Sequence, residues 1–359
     1  MANDRIFISA GDLSGEIHAA NLIKEIEKIN PSCHISAIGG NNLKFTTDEF
    51  LGDIVNINAF GILTLKQVLY LGKVLKKLEE YFSKNHPDKI ILVDYYGFHI
   101  HIAYLARKMN IPVFYYISPQ VWASRSGRIK KLAETVKKML VILPFEEKLY
   151  KDNGVDAVFV GNPLIDMVPE KQSFGILSNT PVIGLFPGSR KSAIKHHLPI
   201  IIETAKILKE KINAKFVMFN ADKKISCALP EYIDLDISGD FNKRKTIDFA
   251  ICPSGTVSIE NALMGIPMVV MYKLSYFNYF FIRAIIRIKY IAMVNILAGK
   301  SIVPEFIQFD ANPQKIAISV LEQIRSENYM PKVKELLAFR KMLGISGVNK
   351  RVAEIILNS

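Results

Sequence analysis

The sequence has little cysteine, a single tryptophan and fewer acidic than basic residues. Its three cysteines, Cys33, Cys227 and Cys252, are odd in number and widely separated. Their spacing excludes a disulfide framework and a cysteine-based metal site, and it indicates a reducing compartment. Forty-six Lys and Arg against 34 Asp and Glu leave a net charge of +12, which favours an anionic partner such as phosphate, nucleic acid or a lipid surface.

Long uninterrupted apolar runs are also lacking. The N-terminal residues combine an acidic side chain with a short apolar run and do not have the pattern of a secretory signal, so we expect a cytoplasmic protein. The most apolar stretch, residues 276–294, is interrupted by Arg283, Arg287 and Lys289. Because a spanning helix needs about 20 nearly continuous apolar residues, this stretch does not predict one. Contact with a membrane surface stays open.

The composition is that of a packed globular protein. Half of the 359 residues are apolar and 22% are charged, a balance that excludes intrinsic disorder and suits two domains. Short β-branched runs alternate with helical patterns, which predicts an α/β protein with two doubly wound parallel sheets. The expected strands are residues 5–9, 34–38, 89–93, 113–117, 139–143 and 157–160 in the first half, and 182–186, 216–219, 233–237, 249–252 and 268–271 in the second.

A polar stretch bracketed by prolines, from Pro163 to Pro181, predicts a linker between the halves. We therefore expect an N-terminal domain over residues 1–165 and a C-terminal domain over residues 180–332. A final helix, residues 333–359, is expected to pack back onto the first domain.

A loop with the sequence PGSR lies between a predicted strand and a long helix in the second half. Gly188 lets the backbone approach a ligand, Ser189 follows it, and Arg190 supplies two N–H groups for phosphate oxygens. Ligands of open α/β sheets bind at the carboxyl ends of strands, where this loop lies. Taken alone, the loop is better interpreted as a capped turn with a solvated arginine.

A second loop repeats this plan in the same half of the chain. Ser254, Gly255 and Thr256 join a strand to the next helix, and Glu260 lies about one turn (~3.6 residues) further on. A carboxylate there can accept hydrogen bonds from the two hydroxyls of a ribose. Together the two loops predict a nucleotide diphosphate site, whereas Glu260 by itself would be read as a solvent-facing helix residue.

Several longer motifs carry a resemblance to one family. They are, in order, ISAGDLSGEIHAANLI, YYISPQVWASRSGRIKKL, VILPFEEKLY, PGSR, PSGTVSIENALMGIPMVVMYK and NILAGKSIVPEFIQ, spanning residues 6–308. In this order they closely resemble lipid-A-disaccharide synthases. The resemblance implies a GT-B glycosyltransferase whose two facing Rossmann-like domains bind the acceptor and the UDP-sugar respectively. It also implies transfer of 2,3-diacylglucosamine from UDP-diacylglucosamine to diacylglucosamine 1-phosphate, with inversion, giving a β-1′,6-linked disaccharide for lipopolysaccharide and UDP.

The resemblance implies that Asp94, at the end of a strand, is the catalytic base, because it matches the first Asp of the family's Asp-x-Pro-Asp-Phe-Asn stretch. Without the resemblance, a helix-capping role is about as plausible. The chain departs from that stretch at Tyr96, Gly97 and His99. His99 is a candidate substitute proton acceptor, although a single histidine near a strand end is more often structural.

Other residues match the family's acceptor side. Asp12 and Glu16 keep two carboxylates with exchanged side-chain lengths, and Ser14 and Gly15 complete the first loop. Basic residues of the segment 118–128 are expected to hold the acceptor phosphate, beside an aromatic side chain that stacks on a sugar or closes the cleft between the domains. These acceptor candidates are Trp122, Arg125 and Arg128. A surface loop with a packed tryptophan is a slightly weaker interpretation. Ser124 and Asn162 replace residues common in the family, which indicates a divergent member.

On the donor side, the resemblance adds Asn295, Gly299 and Glu305, whose individual roles the spacing does not define. No His, Cys and Asp cluster has metal-ligand spacing, and Asp94-Tyr95-Tyr96 lacks the Asp-x-Asp arrangement of metal-dependent sugar transferases, so we predict no cofactor and no essential metal. The sequence does not decide between a monomer and a homodimer.

Two other interpretations compete with this one. A UDP-sugar 2-epimerase or another glycosyltransferase would use the same scaffold, since fold does not define function. A nucleic-acid-binding protein would use the +12 charge, but the lysines at 130–131 and 137–138 lack interleaved stacking aromatics, so no nucleic acid is expected.

The acyl chains of both implied substrates predict a peripheral protein at the inner face of the cytoplasmic membrane. Two stretches rich in apolar and basic residues, 60–78 and 276–290, suit an interfacial role. For the second, an ordinary core helix is an equally good interpretation.

Overall fold

The computed structural model describes residues 4–55, 65–119, 127–170, 179–188, 191–219, 229–274 and 289–359. The chain divides into two compact units, one formed by the residues up to Asp166 together with Leu343–Ser359, the other by Met167–Met342. Each unit contains one parallel sheet. Within the described ranges, every helix is too short or too polar to cross a bilayer.

The first unit has a seven-stranded parallel sheet with the order β3-β2-β1-β4-β5-β6-β7. Its strands are β1 (Arg5–Ala10), β2 (His34–Gly39), β3 (Glu49–Asp53), β4 (Lys89–Val93), β5 (Val113–Tyr116), β6 (Lys138–Val141) and β7 (Ala157–Phe159). The helices that accompany them are α1 (Leu13–Ile29), α2 (Asn41–Lys44), α3 (Leu65–Asn85), α4 (Tyr96–Lys108), α5 (Gly127–Thr135), α6 (Pro144–Lys151) and α7 (Leu164–Met167).

The central strands of this sheet are nearly continuous apolar runs because both of its faces are covered. Ile8 and Ile91 belong to the core on one face, whereas Phe7, Ile90 and Leu92 belong to the core on the other. Side chains that alternate between two buried faces are therefore mostly apolar, and the polar exceptions in the interior of these strands, Ser9 on β1 and Ser36 on β2, are small and buried.

The second unit has a six-stranded parallel sheet with the order β10-β9-β8-β11-β12-β13. Its strands are β8 (Val182–Leu185), β9 (Lys215–Phe219), β10 (Ile233–Asp236), β11 (Phe249–Pro253), β12 (Met268–Tyr272) and β13 (Glu305–Ile307). Its helices are α8 (Lys191–Lys211), α9 (Phe241–Arg244), α10 (Thr256–Leu263), α11 (Met293–Ala298), α12 (Pro313–Gln323) and α13 (Ser326–Met342), and the last helix of the chain is α14 (Val348–Leu357).

The predicted doubly wound parallel sheets are confirmed, since strand order reverses between β1 and β4 and again between β8 and β11. The sequence analysis missed β3 and β13. Both are edge strands whose residues are only half-buried, and β13 has only three residues. An edge strand of this kind lacks the buried apolar run by which the central strands are recognised.

The expected single helix over residues 333–359 is wrong. The chain forms α13 and α14, separated by residues 343–347, and only the part from Leu343 onwards belongs to the first unit. Gly344 and Gly347 both have positive φ, which ends a helix. The carboxylate of Asp166 then accepts the backbone N–H groups of Gly347 and Val348 at 2.7 and 2.8 Å and starts α14.

Candidate active site

Two carboxylates follow neighbouring strands at the point where the strand order of the first sheet reverses. Ala10 at the end of β1 pairs with Val93 at the end of β4; Asp94 directly follows Val93, and Asp12 is two residues after Ala10. Open α/β sheets bind their ligands at the carboxyl ends of strands around this reversal. The predicted position of Asp94 at the end of a strand is confirmed, and the structure adds a second carboxylate, Asp12, after the neighbouring strand.

Asp94 has an unusual backbone conformation. Its φ is +52° and that of Tyr95 is +45°, so two successive non-glycine residues lie in the left-handed region. Such residues cost of order 1–3 kcal/mol each and concentrate at functional sites. Hydrogen bonds hold the turn: the Asp94 N–H donates to Tyr116 at 3.0 Å, and the Asp94 carboxylate accepts the Tyr95 N–H at 2.8 Å.

The Asp94 carboxyl is prepared to exchange a proton near neutral pH. Burial raises its pKa to about 7, with a further contribution from the negative charge of Asp12, while the N–H of Tyr95 acts in the opposite direction. A general base is most effective when its pKa lies near the working pH. The pair of Asp12 and Asp94 therefore has the electrostatic character of an acid–base site.

The first loop, after β1, is organised by Asp12. Its Oδ1 accepts the Gly15 N–H at 2.7 Å and caps α1, and Ser14 is exposed in the first turn of that helix. Gly11 is required because the Tyr95 ring lies against it, so that a Cβ would meet the ring at 2.1 Å. This contact joins the loop after β1 to the loop after β4.

Glu16 does not fit the prediction that it binds the acceptor. The side chain is only 2% exposed, and its Oε1 accepts the N–H groups of Gly40 and Leu43 at 2.6 and 3.3 Å. The carboxylate therefore secures the start of α2. Its neighbour Asp12, by contrast, is only partly buried.

His99 does not fit the prediction of a substitute proton acceptor. It is fully buried, and burial lowers its pKa to about 4, so the ring is neutral. Its Nδ1 donates to the Asp94 carbonyl at 2.7 Å, and its Nε2 accepts from Ser9 Oγ at 2.8 Å. Both ring nitrogens are thus occupied inside the protein.

Arg128, one of the predicted acceptor-binding residues, lies near the loop that follows β4. Its guanidinium lies 4.4 Å from the centre of the Tyr96 ring, and Tyr96 begins α4 two residues after Asp94. The other two predicted residues of the segment, Trp122 and Arg125, lie outside the described residues.

In the second unit, a cavity of about 360 Å³ opens at the ends of β8 and β11, where the strand order again reverses. Gly188 and Gly255 line it with φ of +104° and +147°, conformations that favour glycine. Ser254, Thr256 and Glu260 also line it, while Ser189 and Arg190 lie outside the described residues. The cavity contains the start of α10, whose free N–H groups suit phosphate.

One end of this cavity combines aromatic rings with an ion pair that sequence reasoning missed. Arg244 on α9 pairs with Glu260, and each side chain is about 15% exposed. The Arg244 guanidinium lies 5.3 Å from the Phe186 ring, which stacks on Phe219 at 5.0 Å. No sequence pattern predicts the pair of Arg244 and Glu260, because they are sixteen positions apart with a strand between them. The two phenylalanines could have been noticed from the sequence, since they lie at the ends of β8 and β9.

His197 is a second residue of the cavity that the sequence analysis missed. It is fully buried on α8, and burial lowers its pKa. Its Nδ1 donates to the Pro187 carbonyl at 3.1 Å, and its Nε2 accepts the Lys273 N–H at 3.2 Å. His197 therefore ties the PGSR loop to the end of β12.

Three predicted donor-binding residues, Asn295, Gly299 and Glu305, lie in or beside α11 and β13 and not in the lining of the cavity. Asn295 is fully buried, donates to Glu305 and Val303 and accepts N–H groups from Ile302 and Val303, and Gly299 ends α11 with φ of +66°. Glu305 accepts the N–H groups of Ile291 and Ala292 at 2.8 and 3.0 Å.

Asn295, Gly299 and Glu305 are not among the described residues that line the cavity. The polar groups of Asn295 and Glu305 form hydrogen bonds within the fold. They act on the cavity indirectly. Ser254 donates to the Ile291 carbonyl at 2.6 Å, so the segment that Glu305 holds supports the loop before α10.

Comparison with known proteins identifies the family. The family model described as lipid-A-disaccharide synthetase matches residues 6–353. The chain belongs to the lipid-A-disaccharide synthase family. Lipid-A-disaccharide synthase from Syntrophus aciditrophicus is 36% identical over 375 residues, covering 99% of this chain and 98% of the relative. Lipid-A-disaccharide synthase 1 from Legionella pneumophila (strain Lens) is 35% identical over 329 residues, covering 86% and 85%. The family consists of glycosyltransferase enzymes of lipid A biosynthesis.

Solved structures show the same fold at low sequence identity. MurG from Acinetobacter baumannii has a TM-score of 0.63 at 13% identity and covers 99% of this chain and all of its own. UDP-GlcNAc 2-epimerase from Neisseria meningitidis, solved with UDP-GlcNAc bound, has a TM-score of 0.64 at 13% identity with the same coverage. The architecture is therefore of the GT-B type, which transferases and epimerases share. The assignment to a family depends on the sequence comparisons and not on these structures.

Proposed function

We propose that this chain is a lipid-A-disaccharide synthase. It transfers 2,3-diacylglucosamine from its UDP donor to 2,3-diacylglucosamine 1-phosphate and forms the β-1′,6-linked disaccharide and UDP. The observation that supports a transferase mechanism is Asp94, a carboxyl with a pKa near 7 beside a second carboxylate at the reversal point of the first sheet.

In this mechanism the ionised Asp94 accepts the proton of the attacking acceptor hydroxyl. The hydroxyl oxygen bonds to the anomeric carbon of the donor as the bond from that carbon to the diphosphate oxygen breaks. The electron pair leaves with UDP, and attack from the opposite side inverts the anomeric centre. A base with a pKa near 7 is largely ionised just above neutral pH and still binds the proton strongly.

For the acceptor, we assign hydroxyl contacts to Asp12 and to Ser14 at the start of α1, whereas the N–H of the predicted residue Gly15 already donates to Asp12. Arg128, stacked on Tyr96 beside the Asp94 turn, is the described cation that suits the acceptor phosphate. Trp122 and Arg125 stay predictions for the same substrate. Glu16 is not part of this set, because its carboxylate is used by backbone N–H groups.

For the donor, the start of α10 and the PGSR loop hold the diphosphate. Gly188, Ser254, Gly255 and Thr256 line the cavity that receives it. Ser189 and Arg190 stay predictions for the same phosphate groups. Helix N–H groups and an arginine supply the positive charge that a metal ion provides in other transferases. Glu260 then accepts the ribose hydroxyls, oriented by its ion pair with Arg244.

The test is release of UDP by the full-length protein. UDP-diacylglucosamine and diacylglucosamine 1-phosphate together should release UDP and give the disaccharide in equal amounts, and neither substrate alone should do so. An epimerase would instead change the free UDP-sugar without any acceptor. Absence of disaccharide with both substrates would refute the proposed function.

We also propose that the enzyme works at the inner face of the cytoplasmic membrane through the start of α3. Leu65, Val68 and Leu69 are 74%, 50% and 59% exposed there. Four lysines occupy exposed positions of the same helix: Lys66, Lys73, Lys76 and Lys77. Exposed apolar side chains beside lysines suit a headgroup layer with anionic lipids, to which each nearby cation adds attraction of about 1 kcal/mol.

Not all of the stretch predicted for lipid contact is available. Leu71 and Leu78 are buried in the core, so they do not face a membrane. Residues 60–64 and the second predicted stretch, up to residue 288, lie outside the described residues. The proposed surface is therefore restricted to Leu65, Val68, Leu69 and the lysines beside them.

Liposome flotation tests this surface. The wild-type protein should float with vesicles that contain anionic lipid, less so at high salt, and Leu65→Ser with Leu69→Ser should reduce the floated fraction severalfold. Phe309→Ser with Ile318→Ser removes equally exposed apolar side chains elsewhere and is the matched control. Equal flotation of both double variants would remove α3 from membrane binding.

A further inference from the structure

We propose that His99 is a positioning residue which, together with Ser9 and Tyr115, holds the Asp94 backbone in its left-handed conformation. The inference rests on the proposed role of Asp94 as the base. It assigns to His99 a function other than proton transfer to substrate, and it explains how the chain keeps a base at the end of β4 although the residues after Asp94 depart from the family's pattern.

The first observation is that one carbonyl receives two buried donors. The Asp94 carbonyl oxygen accepts from His99 Nδ1 at 2.7 Å and from the Tyr115 hydroxyl. His99 and Tyr115 are both fully buried. Most backbone carbonyls accept one such bond, and a left-handed residue after a strand has no ladder partner on that side. Two donors oppose the return of Asp94 to an extended conformation.

The second observation is that the donor itself is held. His99 Nε2 accepts from the fully buried Ser9 hydroxyl at 2.8 Å, which leaves the proton on Nδ1, where it points to the Asp94 carbonyl. The His99 ring packs edge-on against Tyr95 and Tyr115, with centroids at 5.7 and 6.1 Å. Ser9 lies on β1, Tyr115 on β5 and His99 on α4, so three rigid elements define one peptide group.

This arrangement places the Asp94 carboxyl between groups that set its protonation. Asp12 faces it from the loop after β1, Tyr115 from β5, and Tyr96 and His99 lie on α4. If the peptide relaxes, the carboxyl gains solvent, and the burial that raises its pKa decreases. The acid limb of activity then moves to lower pH while the base loses its alignment.

Three substitutions of His99 separate the possible roles. His99→Leu removes both ring nitrogens. His99→Asn keeps an N–H donor near the position of Nδ1, toward the Asp94 carbonyl, whereas His99→Gln keeps a polar group near the position of Nε2, toward Ser9. His101→Ala, at an exposed position of the same helix, is the matched control and should behave as wild type.

We expect His99→Leu and His99→Gln to lower kcat about 10- to 100-fold, the scale of a misplaced catalytic group, with little change in KM. Their acid limbs should move to lower pH. His99→Asn should recover most of the kcat and the wild-type limb. UDP affinity, measured by calorimetry, should be the same in all three, since the nucleotide cavity belongs to the other unit.

Other outcomes would overturn the inference. If His99 were the base, His99→Asn would be as inactive as His99→Leu, and Asp94→Asn would stay active. If His99 only stabilised the fold, the three variants would lower the melting temperature but keep wild-type kcat and pH profile. Should His99→Leu fail to fold, Tyr115→Phe removes the second donor with its ring intact and should show the same shift of the acid limb. If the wild type itself makes no disaccharide, the proposed function fails and the inference with it.

Discussion

The carboxyl edges of the two sheets have the same topology but different chemistry. In the first unit, the reversal point carries two carboxylates, a strained left-handed turn and a network of buried donors beneath it. In the second, the same point carries glycines at positive φ, a helix N-terminus and an arginine–glutamate pair against stacked rings. One edge therefore suits proton transfer, and the other suits binding of an anionic nucleotide. The shared topology places a site in each unit, and the side chains at the strand ends define its chemistry.

Asp94→Asn should break this comparison most severely, because it removes the proposed base while it leaves the other edge intact. We expect turnover to fall about 100-fold or more. UDP affinity, measured by calorimetry on the same protein, should stay at the wild-type value. Wild-type turnover would show that the acid–base character assigned to the first edge is not used in catalysis.

The same substitution should reveal what the buried carboxyl costs the fold. The folded-state pKa of about 7 lies above the ordinary value of 3.8, so the folded state binds a proton that the unfolded state releases. Its contribution to stability is fully present below pH 3.8 and lost as pH rises through 7. Relative to wild type, the Asp94→Asn variant should therefore gain about 4 kcal/mol between pH 4 and pH 8, measured by urea titration.

The exposed variant Asp152→Asn is the control for that measurement. If Asp94→Asn and wild type differ in stability by the same amount at both pH values, the pKa of Asp94 is not raised by folding.

Glu260→Gln should change the second edge alone. Without the anionic acceptor, discrimination between UDP and its 2′-deoxy analogue should fall by about 10-fold, because a charged hydrogen bond is replaced by a neutral one. Calorimetry with both nucleotides measures the ratio, and Glu203→Gln, exposed on α8, is the control. An unchanged ratio would mean that Glu260 serves only to pair with Arg244.

Asp12→Asn should sharpen the comparison with the smallest effect. The variant keeps an oxygen that can cap α1 but removes the negative charge that helps to raise the pKa of Asp94. The acid limb of kcat/KM, near pH 7 in the wild type, should therefore move to lower pH by less than about one unit. If the acid limb moves to higher pH or does not move, the charge of Asp12 does not raise the pKa of Asp94.

The sequence by itself determined the two parallel-sheet domains, the loops that line the cavity of the second unit and Asp94 at its strand end. Those inferences depend on local patterns: buried apolar runs, glycines before helices and a motif read in order. They hold because a strand–loop–helix unit places its loop at the carboxyl edge of the sheet wherever it occurs.

Only the tertiary structure decided which polar residues are free to act. Glu16, Asn295 and Glu305 look like site residues in the sequence, yet backbone N–H groups distant along the chain use their oxygens. His99 and Arg244 gain their roles from partners 90 and 16 residues away. A buried polar group must find hydrogen bonds wherever the fold provides them, and that choice depends on contacts between elements that no local pattern records.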